Sequence, residues 1–227
     1  MVFNNVFITG GTGFVGSHLI PELAKRGHRI RAVVRQQSAG RLPKDASAVV
    51  GDATRAESYY RNIGDCDTFV HLIGVAHPSP SKAAEFRSID LESTRQAVNA
   101  AVRAGIQKFV YVSVAQPLPV MVAYVETRKQ CEDIITHSGL KASILRPFYI
   151  LGPGRRWPIF LQPFLAIGRQ LPSLRATAER LSFVTIQQMC GALICAIENP
   201  PVQDVRIWTA SDIKDAGERV ARQMSLV

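Results

Sequence analysis

The fold of this chain of 227 residues is decided by the stretch Thr9-Gly10-Gly11-Thr12-Gly13-Phe14-Val15-Gly16. The stretch follows a short apolar run at Val2–Ile8, which indicates a buried strand. It opens the segment Phe14–Arg26, in which apolar residues recur at helical spacing and which Gly27 ends as a C-terminal cap. The sequence therefore predicts a strand, a tight glycine turn and a helix in direct succession.

The spacing Gly11-x-Gly13-x-x-Gly16 within this turn is a fingerprint of dinucleotide binding when it stands between a strand and a helix. Glycine permits a positive φ angle, and its missing Cβ lets the backbone approach a pyrophosphate. Backbone N–H groups at the start of the helix then point at the phosphates. The alternative is a glycine-rich turn that serves packing alone. The predicted dinucleotide contacts in the turn are Gly10, Thr12, Gly13, Phe14, Val15 and Gly16.

Strand and helix patterns alternate along the first two thirds of the chain. Such alternation predicts a parallel sheet covered by helices on both faces, which is an α/β, Rossmann-type, doubly wound fold. The predicted strands after the first are Arg29–Val34, Ala48–Gly51, Thr68–Gly74, Lys108–Val114 and Lys141–Arg146. The predicted helices after the first are Ala56–Ile63, Ala83–Ala104 and Met121–Ser138.

The pattern changes after Pro147, where a loop rich in glycine and proline begins. We predict a dinucleotide-binding domain over residues 1–151 and a small C-terminal region over 152–227 that packs beside the carboxyl ends of the strands as one compact unit with it. The elements predicted there are a helix near Ile159–Arg169, a helix near Gln187–Glu198, a strand near Val205–Thr209 and a helix from about Ile213, capped by Ser211 or Asp212.

Composition narrows the classes of partner. The net charge is +9, but lysine and arginine are scattered, without a long basic run or interleaved aromatic residues, so we expect no nucleic-acid partner. No apolar run approaches the ~20 residues of a membrane helix, and the start of the chain has no leader pattern, so we expect a cytoplasmic protein without membrane attachment. The four cysteines form no C-x-x-C pair; we expect free thiols and no metal site.

The end of the second strand bears on the choice of coenzyme. A carboxylate usually stands there to hold the ribose 2′-hydroxyl of NAD, whereas this chain has Arg35 and no acidic residue between Glu22 and Asp45. A planar guanidinium suits a phosphate, and Arg31 and Arg41 are candidates to assist it. We therefore predict NADP(H) in preference to NAD(H). The alternative is that Arg35 stacks on the adenine and both coenzymes bind.

Asp52 and Ala53 follow the third predicted strand. Because ligands of open α/β sheets bind at the carboxyl ends of the strands, both residues are candidate cofactor contacts. The alternative for Asp52 is that it caps the next helix.

Several segments together resemble the short-chain dehydrogenase/reductase superfamily, in particular its atypical and extended members, which are the NmrA-like and the NAD-dependent epimerase/dehydratase-like proteins. The resemblance covers residue 6 to about residue 154. It rests on Thr9–Gly16, Gly51-Asp52-Ala53, His71–Val75, Phe109–Ser113, Tyr124 with Arg128 and Glu132, and Ile144–Gly154.

The resemblance implies a catalytic serine, tyrosine and lysine, and it places Ser113 and Tyr124 in the first two roles. The third position holds Arg128, and Lys129 follows one residue late, so it points about 100° away around the helix. A cation one turn from a phenol favours the phenolate. Arginine keeps the charge but holds its proton too firmly for a relay. The alternative is that Tyr124 and Arg128 are two polar residues on one helix face.

The resemblance also implies further contacts along the nicotinamide side of the cofactor. These are Leu72, Gly74, Val112, Tyr124, Arg128, Pro147, Phe148 and Ile150.

Other polar residues carry weaker signals. His71 lies on an apolar strand and is expected to be a core histidine, and His77 beside Pro78 is expected in a loop. Asp90 stands where the superfamily often has asparagine, so the water network there is expected to differ. The loop Arg155-Arg156-Trp157 either meets an anionic substrate or the cofactor phosphates, or is plain surface.

Two hypotheses for function follow. The first is an NADP(H)-dependent oxidoreductase acting on a small carbonyl, alkene or quinone-like substrate, with Tyr124 as acid or base, Ser113 as orienting donor and Arg128 as ribose clamp. The second is a non-catalytic sensor or accessory protein, as the resemblance to NmrA-like redox sensors and the arginine at 128 suggest. The resemblance also implies a homodimer formed through the two long helices.

Overall fold

The computed structural model of the chain describes residues 3–117, 121–154, 179–202 and 204–224. Its main sheet has seven strands, and every neighbouring pair is parallel. The strands are β1 (Asn5–Thr9), β2 (Arg29–Val34), β3 (Ala46–Val50), β4 (Thr68–His71), β5 (Lys108–Val112), β6 (Lys141–Leu145) and β9 (Val205–Trp208). Their order is β3-β2-β1-β4-β5-β6-β9. Successive strands are therefore added on one side of β1 up to β3 and on its other side from β4 onward. The predicted Rossmann-type α/β fold is confirmed.

Five helical segments in the described ranges cover the sheet. They are α1 (Phe14–Lys25), α2 (Ala83–Glu85, a π-helical stretch Phe86–Leu91, and Glu92–Arg103), α3 (Val122–Thr136), α4 (Ile186–Glu198) and α5 (Ala210–Met224). A second, two-stranded parallel sheet pairs β7 (Tyr149–Leu151) with β8 (Phe183–Thr185). No helix in the described ranges combines the length and the apolar content that crossing a membrane requires.

The central strands β1, β4, β5 and β6 bury side chains on both faces, and alternate residues enter different cores. On β1, Val6 and Ile8 belong to the core under α1, α4 and α5, whereas Phe7 belongs to the core under α2 and α3. Phe7, Phe69 and Phe109 are register partners on three adjacent strands, and neighbouring ring centroids lie 5.3 Å apart. This aromatic row fixes the strand register at the centre of the sheet.

The described part of the C-terminal region shares this architecture. β9 extends the main sheet beside β6, and α4 packs against α1. At the end of α1, Arg26 donates to Glu198 of α4 through Nε at 2.7 Å and Nη2 at 2.9 Å. Residues 179–224 therefore add a strand and two helices to the same layers, besides the β7–β8 pair that lies next to the carboxyl end of β6. The helix predicted near Ile159–Arg169 lies outside the described residues.

Several predicted boundaries were wrong. The segment Ala56–Ile63 is not a helix but two 3₁₀ turns, Ala56–Ser58 and Tyr60–Asn62, because Tyr59 between them has φ −144° and buries its ring against Phe7. β4 ends at His71 rather than at Gly74, since its neighbour β1 stops where the glycine turn begins.

The cap of α5 was also assigned to the wrong residue. Thr209, rather than Ser211 or Asp212, precedes the helix, and its hydroxyl accepts from the Asp212 amide at 3.3 Å. The Asp212 carboxylate in turn accepts from the amide and the hydroxyl of Thr209. This reciprocal pair satisfies donors at the first turn.

Candidate functional site

The turn between β1 and α1 is built so that only glycine fits at two of its positions. Gly10 has φ +83°, and a Cβ there would lie 2.9 Å from the carbonyl carbon of Leu72. A Cβ on Gly16 would lie 2.4 Å from the carbonyl oxygen of Gly10. The Gly13 amide donates to the Gly10 carbonyl at 3.0 Å and closes the turn. The chain therefore brings backbone, free of side chains, to the carboxyl end of the sheet.

The start of α1 offers a site for an anion. Its N-cap is Gly13, which supplies no side-chain acceptor, and the first turn contains no acidic residue. By helix geometry the amides of Val15 and Gly16 have no acceptor within the helix. These amides and the positive end of the helix dipole favour a phosphate.

Two cavities meet at this turn and form one cleft along the carboxyl ends of the strands. The larger, of about 580 Å³, extends from the turn over β2 and β3, and the smaller, of about 280 Å³, extends over β5 and the residues after β6. Gly10 and the segment 73–76 line both. The cleft has the position at which open α/β sheets bind dinucleotides.

Almost every residue predicted to bind cofactor lines this cleft. In the larger cavity lie Thr12, Arg35, Asp52 and Ala53. In the smaller lie Gly13, Phe14, Val15, Leu72, Val112, Tyr124, Arg128, Pro147, Phe148 and Ile150. Gly10 and Gly74 line both, whereas Gly16 lies behind the turn and lines neither.

Positive side chains gather beside the larger cavity. Arg35 is exposed at the end of β2, and Arg41 donates to the Ser38 hydroxyl through Nη2 at 2.8 Å. Ser38 is buried and lines the cavity, a contribution the sequence analysis missed. Arg31 does not assist, contrary to the prediction, because it pairs with Asp65 at 3.1 Å near the amino end of β1. Its position inside β2 directs it away from the cleft.

Asp52 organises its own loop as well as lining the larger cavity. Its Oδ1 accepts from the Thr54 amide at 2.9 Å and from the Thr54 hydroxyl at 2.8 Å. The Thr54 amide, together with the hydroxyl and the charges of Arg35 and Arg55, lowers the pKa of Asp52 despite partial burial. The capping alternative is wrong: the 3₁₀ turn Ala56–Ser58 has Arg55 as its N-cap and no side-chain cap, and Asp52 instead closes a turn at residues 52–54 beside the cavity.

Tyr124 and Arg128 lie one helical turn apart on α3 and face the smaller cavity. Tyr124 is half-buried, and its ring packs against Phe86 with centroids 5.0 Å apart. The guanidinium carbon of Arg128 lies 5.2 Å from the Tyr124 ring centroid. Lys129 is exposed, as its spacing predicted, and takes no part.

Arg128 is 4% exposed and turned inward. Its Nη1 donates to the Tyr111 hydroxyl at 2.8 Å and to the Val112 carbonyl at 3.1 Å, and its Nη2 lies 3.1 Å from Oδ2 of Asp90. Both Nη1 hydrogens are thus used inside the protein, which leaves fewer donors for ribose hydroxyls than the sequence suggested.

Asp90 is fully buried in the π-helical stretch of α2. Its Oδ1 accepts from the Val75 amide at 2.8 Å, so the same carboxylate holds Arg128 and the loop that separates the two cavities. Burial raises the pKa of Asp90, and the charge of Arg128 and the Val75 amide oppose that rise. The structure shows a direct pair between the Asp90 carboxylate and the Arg128 guanidinium, and the expected difference in the water network stays a prediction.

Ser113 lines the smaller cavity, but its hydroxyl donates to Glu132, a buried carboxylate on α3. Glu132 also accepts from Gln116 at 2.9 Å and from Arg146, whose Nε lies 3.0 Å from Oε1. A serine has one hydroxyl hydrogen. While it stays on Glu132, Ser113 can accept from a substrate alcohol but cannot donate to a carbonyl.

Replacing Ser113 with alanine is expected to lower the free energy of unfolding by about 1.5–3 kcal/mol, because a hydrogen bond to a charged group is lost. Turnover, where measured, is expected to fall by less than about tenfold, since a donor that stabilises a reacting oxygen is worth about 10²-fold or more. Urea unfolding and steady-state rates measure both quantities. Ser143→Ala is the matched control: Ser143 is a buried serine on β6 whose hydroxyl has no partner among the described residues. A 100-fold loss of turnover with unchanged stability would return Ser113 to the role of substrate donor.

His71 and His77 lie in different surroundings, one buried and one exposed. His71 is fully buried, and its ring nitrogens contact the Thr9 hydroxyl at 2.6 Å and the Thr94 hydroxyl at 3.3 Å. Burial, followed by the charge of Arg128, lowers the pKa of His71 to about 3, so the ring is neutral and structural. His77 is exposed in the loop after β4 with φ +49° and lines the smaller cavity.

Other predictions concern cysteines, metals and the basic loop. All four cysteines are free, and Cys66, Cys131 and Cys190 are buried. The described residues contain no cluster of histidine, cysteine or acidic side chains able to hold a metal ion. The loop Arg155-Arg156-Trp157 lies outside the described residues.

Comparisons with known proteins agree with this geometry. A family model described as NAD(P)H-binding matches residues 10–156. A ceramide reductase of Caulobacter vibrioides is 28% identical over 214 residues, which cover 93% of this chain and 66% of that protein. A UDP-glucose 4-epimerase of Vibrio cholerae is 23% identical over 239 residues, covering 93% and 71%. The chain thus spans roughly two thirds of the length of these curated relatives.

Solved structures share the fold. The Bordetella bronchiseptica enzyme WbmH, in complex with NAD⁺, superposes with a TM-score of 0.69 at 20% identity, covering 98% of this chain and 82% of that one.

Proposed function

Because the chain belongs to the NAD(P)H-binding family, of the atypical and extended short-chain dehydrogenase/reductase type, we propose that it is an NADP(H)-dependent oxidoreductase of a small carbonyl, alkene or quinone-like substrate. One observation carries the proposal: Tyr124 faces the same cavity as the amino end of α1. A diphosphate held at that helix and a substrate proton donor would then share one cleft. Two similar proteins are named a ceramide reductase and a ketoreductase, and these names support a reductive reaction.

The residues present fit a dinucleotide. A Cβ at Gly10 would collide with the backbone of Leu72, so the turn carries no side chain at this position. The amino end of α1, whose N-cap Gly13 has no side-chain acceptor, offers backbone donors to the phosphates. In the larger cavity Arg35 and Asp52 would flank the adenosine half. In the smaller cavity Pro147 and the segment after it would line the nicotinamide half.

The chemistry then divides between the coenzyme and this chain. When bound in this cleft, a reduced nicotinamide would supply a hydride to the substrate carbon. Tyr124 donates the proton that the substrate oxygen requires, and packing against Phe86 together with the cation of Arg128 fixes its ring. Arg128 itself holds its proton throughout and acts as a fixed charge.

Turnover tests the proposal directly. Purified protein mixed with NADPH and a panel of aldehydes, ketones, enones and quinones is expected to consume NADPH, followed at the nicotinamide absorbance band, at a rate that depends on one class of acceptor. The sensor hypothesis has its own support, since Arg128 uses its Nη1 hydrogens inside the protein and pairs with Asp90 through Nη2. It predicts a tightly bound coenzyme and no consumption with any acceptor.

We also propose a preference for NADP(H), supported by Arg35 and by the Ser38–Arg41 pair beside the larger cavity. Arg35→Ala is expected to weaken NADPH binding by about 10- to 100-fold, because a hydrogen bond to a charged group contributes about 1.5–3 kcal/mol. NADH binding, which involves no 2′-phosphate, should change little. Fluorescence titration with both coenzymes measures this.

Arg31→Ala is the control for that experiment. Arg31 belongs to the same strand but pairs with Asp65 at the other end, so both affinities should be retained. Equal losses of NADPH and NADH affinity in Arg35→Ala would reject the 2′-phosphate role and favour stacking on the adenine.

A further inference from the structure

Arg128, the cation next to Tyr124, forms an ion pair with Asp90. Arg128 and Asp90 are both buried, at 4% and 0% exposure, and Nη2 lies 3.1 Å from Oδ2. Two buried opposite charges at this separation interact strongly, since little water screens them. Viewed from the tyrosine, the pair is a dipole rather than a free positive charge.

Local structure explains how Asp90 reaches this place. The stretch Phe86–Leu91 is π-helical, and such a turn changes the face on which a residue lies. The same stretch places Phe86 against the Tyr124 ring. The Asp90 carboxylate is fixed from its other side by the Val75 amide at 2.8 Å. One element therefore orients the tyrosine and supplies the counter-charge for Arg128.

The titratable groups around Arg128 and Asp90 do not upset the charge balance of this pair. They are Glu85 on α2, His71 on β4, Tyr111 on β5, Cys131 on α3 and His77 in the loop after β4. Burial lowers the pKa of His71 to about 3 and raises the pKa of both Tyr111 and Cys131, so these three are uncharged at neutral pH. Glu85 and His77 are exposed, where water weakens their influence.

We propose that Asp90 is a positioning residue whose carboxylate offsets the charge of Arg128 beneath Tyr124, so that the tyrosine holds its proton to higher pH than it would above an unpaired cation. The proposal rests on the proposed function for its chemical meaning. Under this proposal the site favours the reductive direction of the reaction, in which Tyr124 must carry its proton when the substrate binds.

In the reductive direction the substrate gains one hydride and one proton. The π bond of a substrate carbonyl breaks as its carbon gains a hydride, with two electrons, from the reduced nicotinamide. The oxygen gains the Tyr124 proton, which yields an alcohol, an oxidised nicotinamide and a phenolate. Water returns a proton to the phenolate before the next cycle. A tyrosine that lost its proton readily would suit the reverse reaction, in which it accepts the alcohol proton.

The ionisation of Tyr124 can be measured without coenzyme or turnover. Protein labelled with ¹³C at the tyrosine Cζ is titrated by NMR, and Tyr124→Phe identifies the signal. In Asp90→Asn, which keeps an oxygen for the Val75 amide but loses the charge, the ionisation midpoint of Tyr124 is expected to fall by about one pH unit, the lower end of the effect of a nearby unpaired charge. The Arg128 guanidinium carbon lies 5.2 Å from the centroid of the Tyr124 ring.

A second variant separates charge from structure. In Asp90→Asn/Arg128→Met both side chains are neutral, so their net charge is zero, as it is for the ion pair of the parent protein. The ionisation midpoint of Tyr124 should therefore return to that of the parent protein. Asp90→Ser, a smaller neutral replacement, serves in place of Asp90→Asn if the latter does not fold. A midpoint unchanged in a folded neutral variant at 90 overturns the proposal, as does a double variant that stays at the lowered value. Absence of NADPH consumption by the parent protein would reject the oxidoreductase proposal while leaving this titration readable.

Discussion

Tyr124→Phe is expected to reduce NADPH-dependent turnover by about 10²- to 10⁴-fold, the range that a positioned general acid contributes. The substitution removes only the phenol oxygen and keeps the ring that packs against Phe86. Binding of NADPH should be nearly unchanged, because the predicted diphosphate site lies at the amino end of α1 and does not involve the phenol. Steady-state rates with the best acceptor, and fluorescence titration of NADPH, measure the two effects.

The matched control for Tyr124→Phe is Tyr60→Phe. Tyr60 is a half-buried tyrosine that lines neither cavity of the cleft, and its ring lies against the Arg103 guanidinium. Its substitution should leave turnover within about tenfold of the parent, well short of the loss of a general acid. Full activity in Tyr124→Phe would remove the tyrosine from the mechanism and would leave the cleft as a binding site alone.

Gly13→Asp is expected to weaken binding of either nicotinamide coenzyme by more than about 100-fold, because like charges brought together cost several kcal/mol. Gly13 is the N-cap of α1, with φ −78° and ψ 175°, which any residue can adopt. An aspartate there would cap the helix and place a carboxylate where the phosphates are expected. The fold should therefore survive while the anion site is lost.

Gly13→Asn isolates the charge in that experiment. Asparagine caps a helix as well as aspartate does and has nearly the same shape. Any Cβ at this position meets the Gly10 carbonyl at 3.1 Å, a cost that both variants share. The asparagine variant should bind coenzyme at least about tenfold more tightly than the aspartate variant, given the cost of like charges. Equal affinities would show that no phosphate lies at this helix end.

Local patterns explain why the fold was predictable from sequence. The glycine turn, the capping glycine at 27 and the apolar runs act over a few residues, and parallel pairing follows from the alternation of elements. Boundaries failed where tertiary contacts overrode local preference. Tyr59 is the example, since it leaves helical backbone to bury its ring against Phe7. The β7–β8 pair was also missed, because three-residue strands carry almost no periodic signal.

The candidate site was predictable in its members but not in its hydrogen bonds. Tyr124, Arg128 and Ser113 all reach the smaller cavity, as their positions implied. No spacing in the sequence shows that Ser113 donates to Glu132 or that Arg128 pairs with Asp90. The latter contact depends on a π-helical stretch, which shifts the helical phase by one residue and which a helical pattern does not reveal.

The proposed function requires that amides at the amino end of α1 hold the diphosphate of a nicotinamide coenzyme. Calorimetric titration of NADPH, and separately of NADH, into cofactor-stripped protein measures this binding, with Gly13→Asp as the negative control. We expect saturable one-site binding to the parent protein, tighter for NADPH than for NADH, and loss of that binding in the variant. No heat with either coenzyme, in protein shown to be folded, would mean that α1 holds no diphosphate.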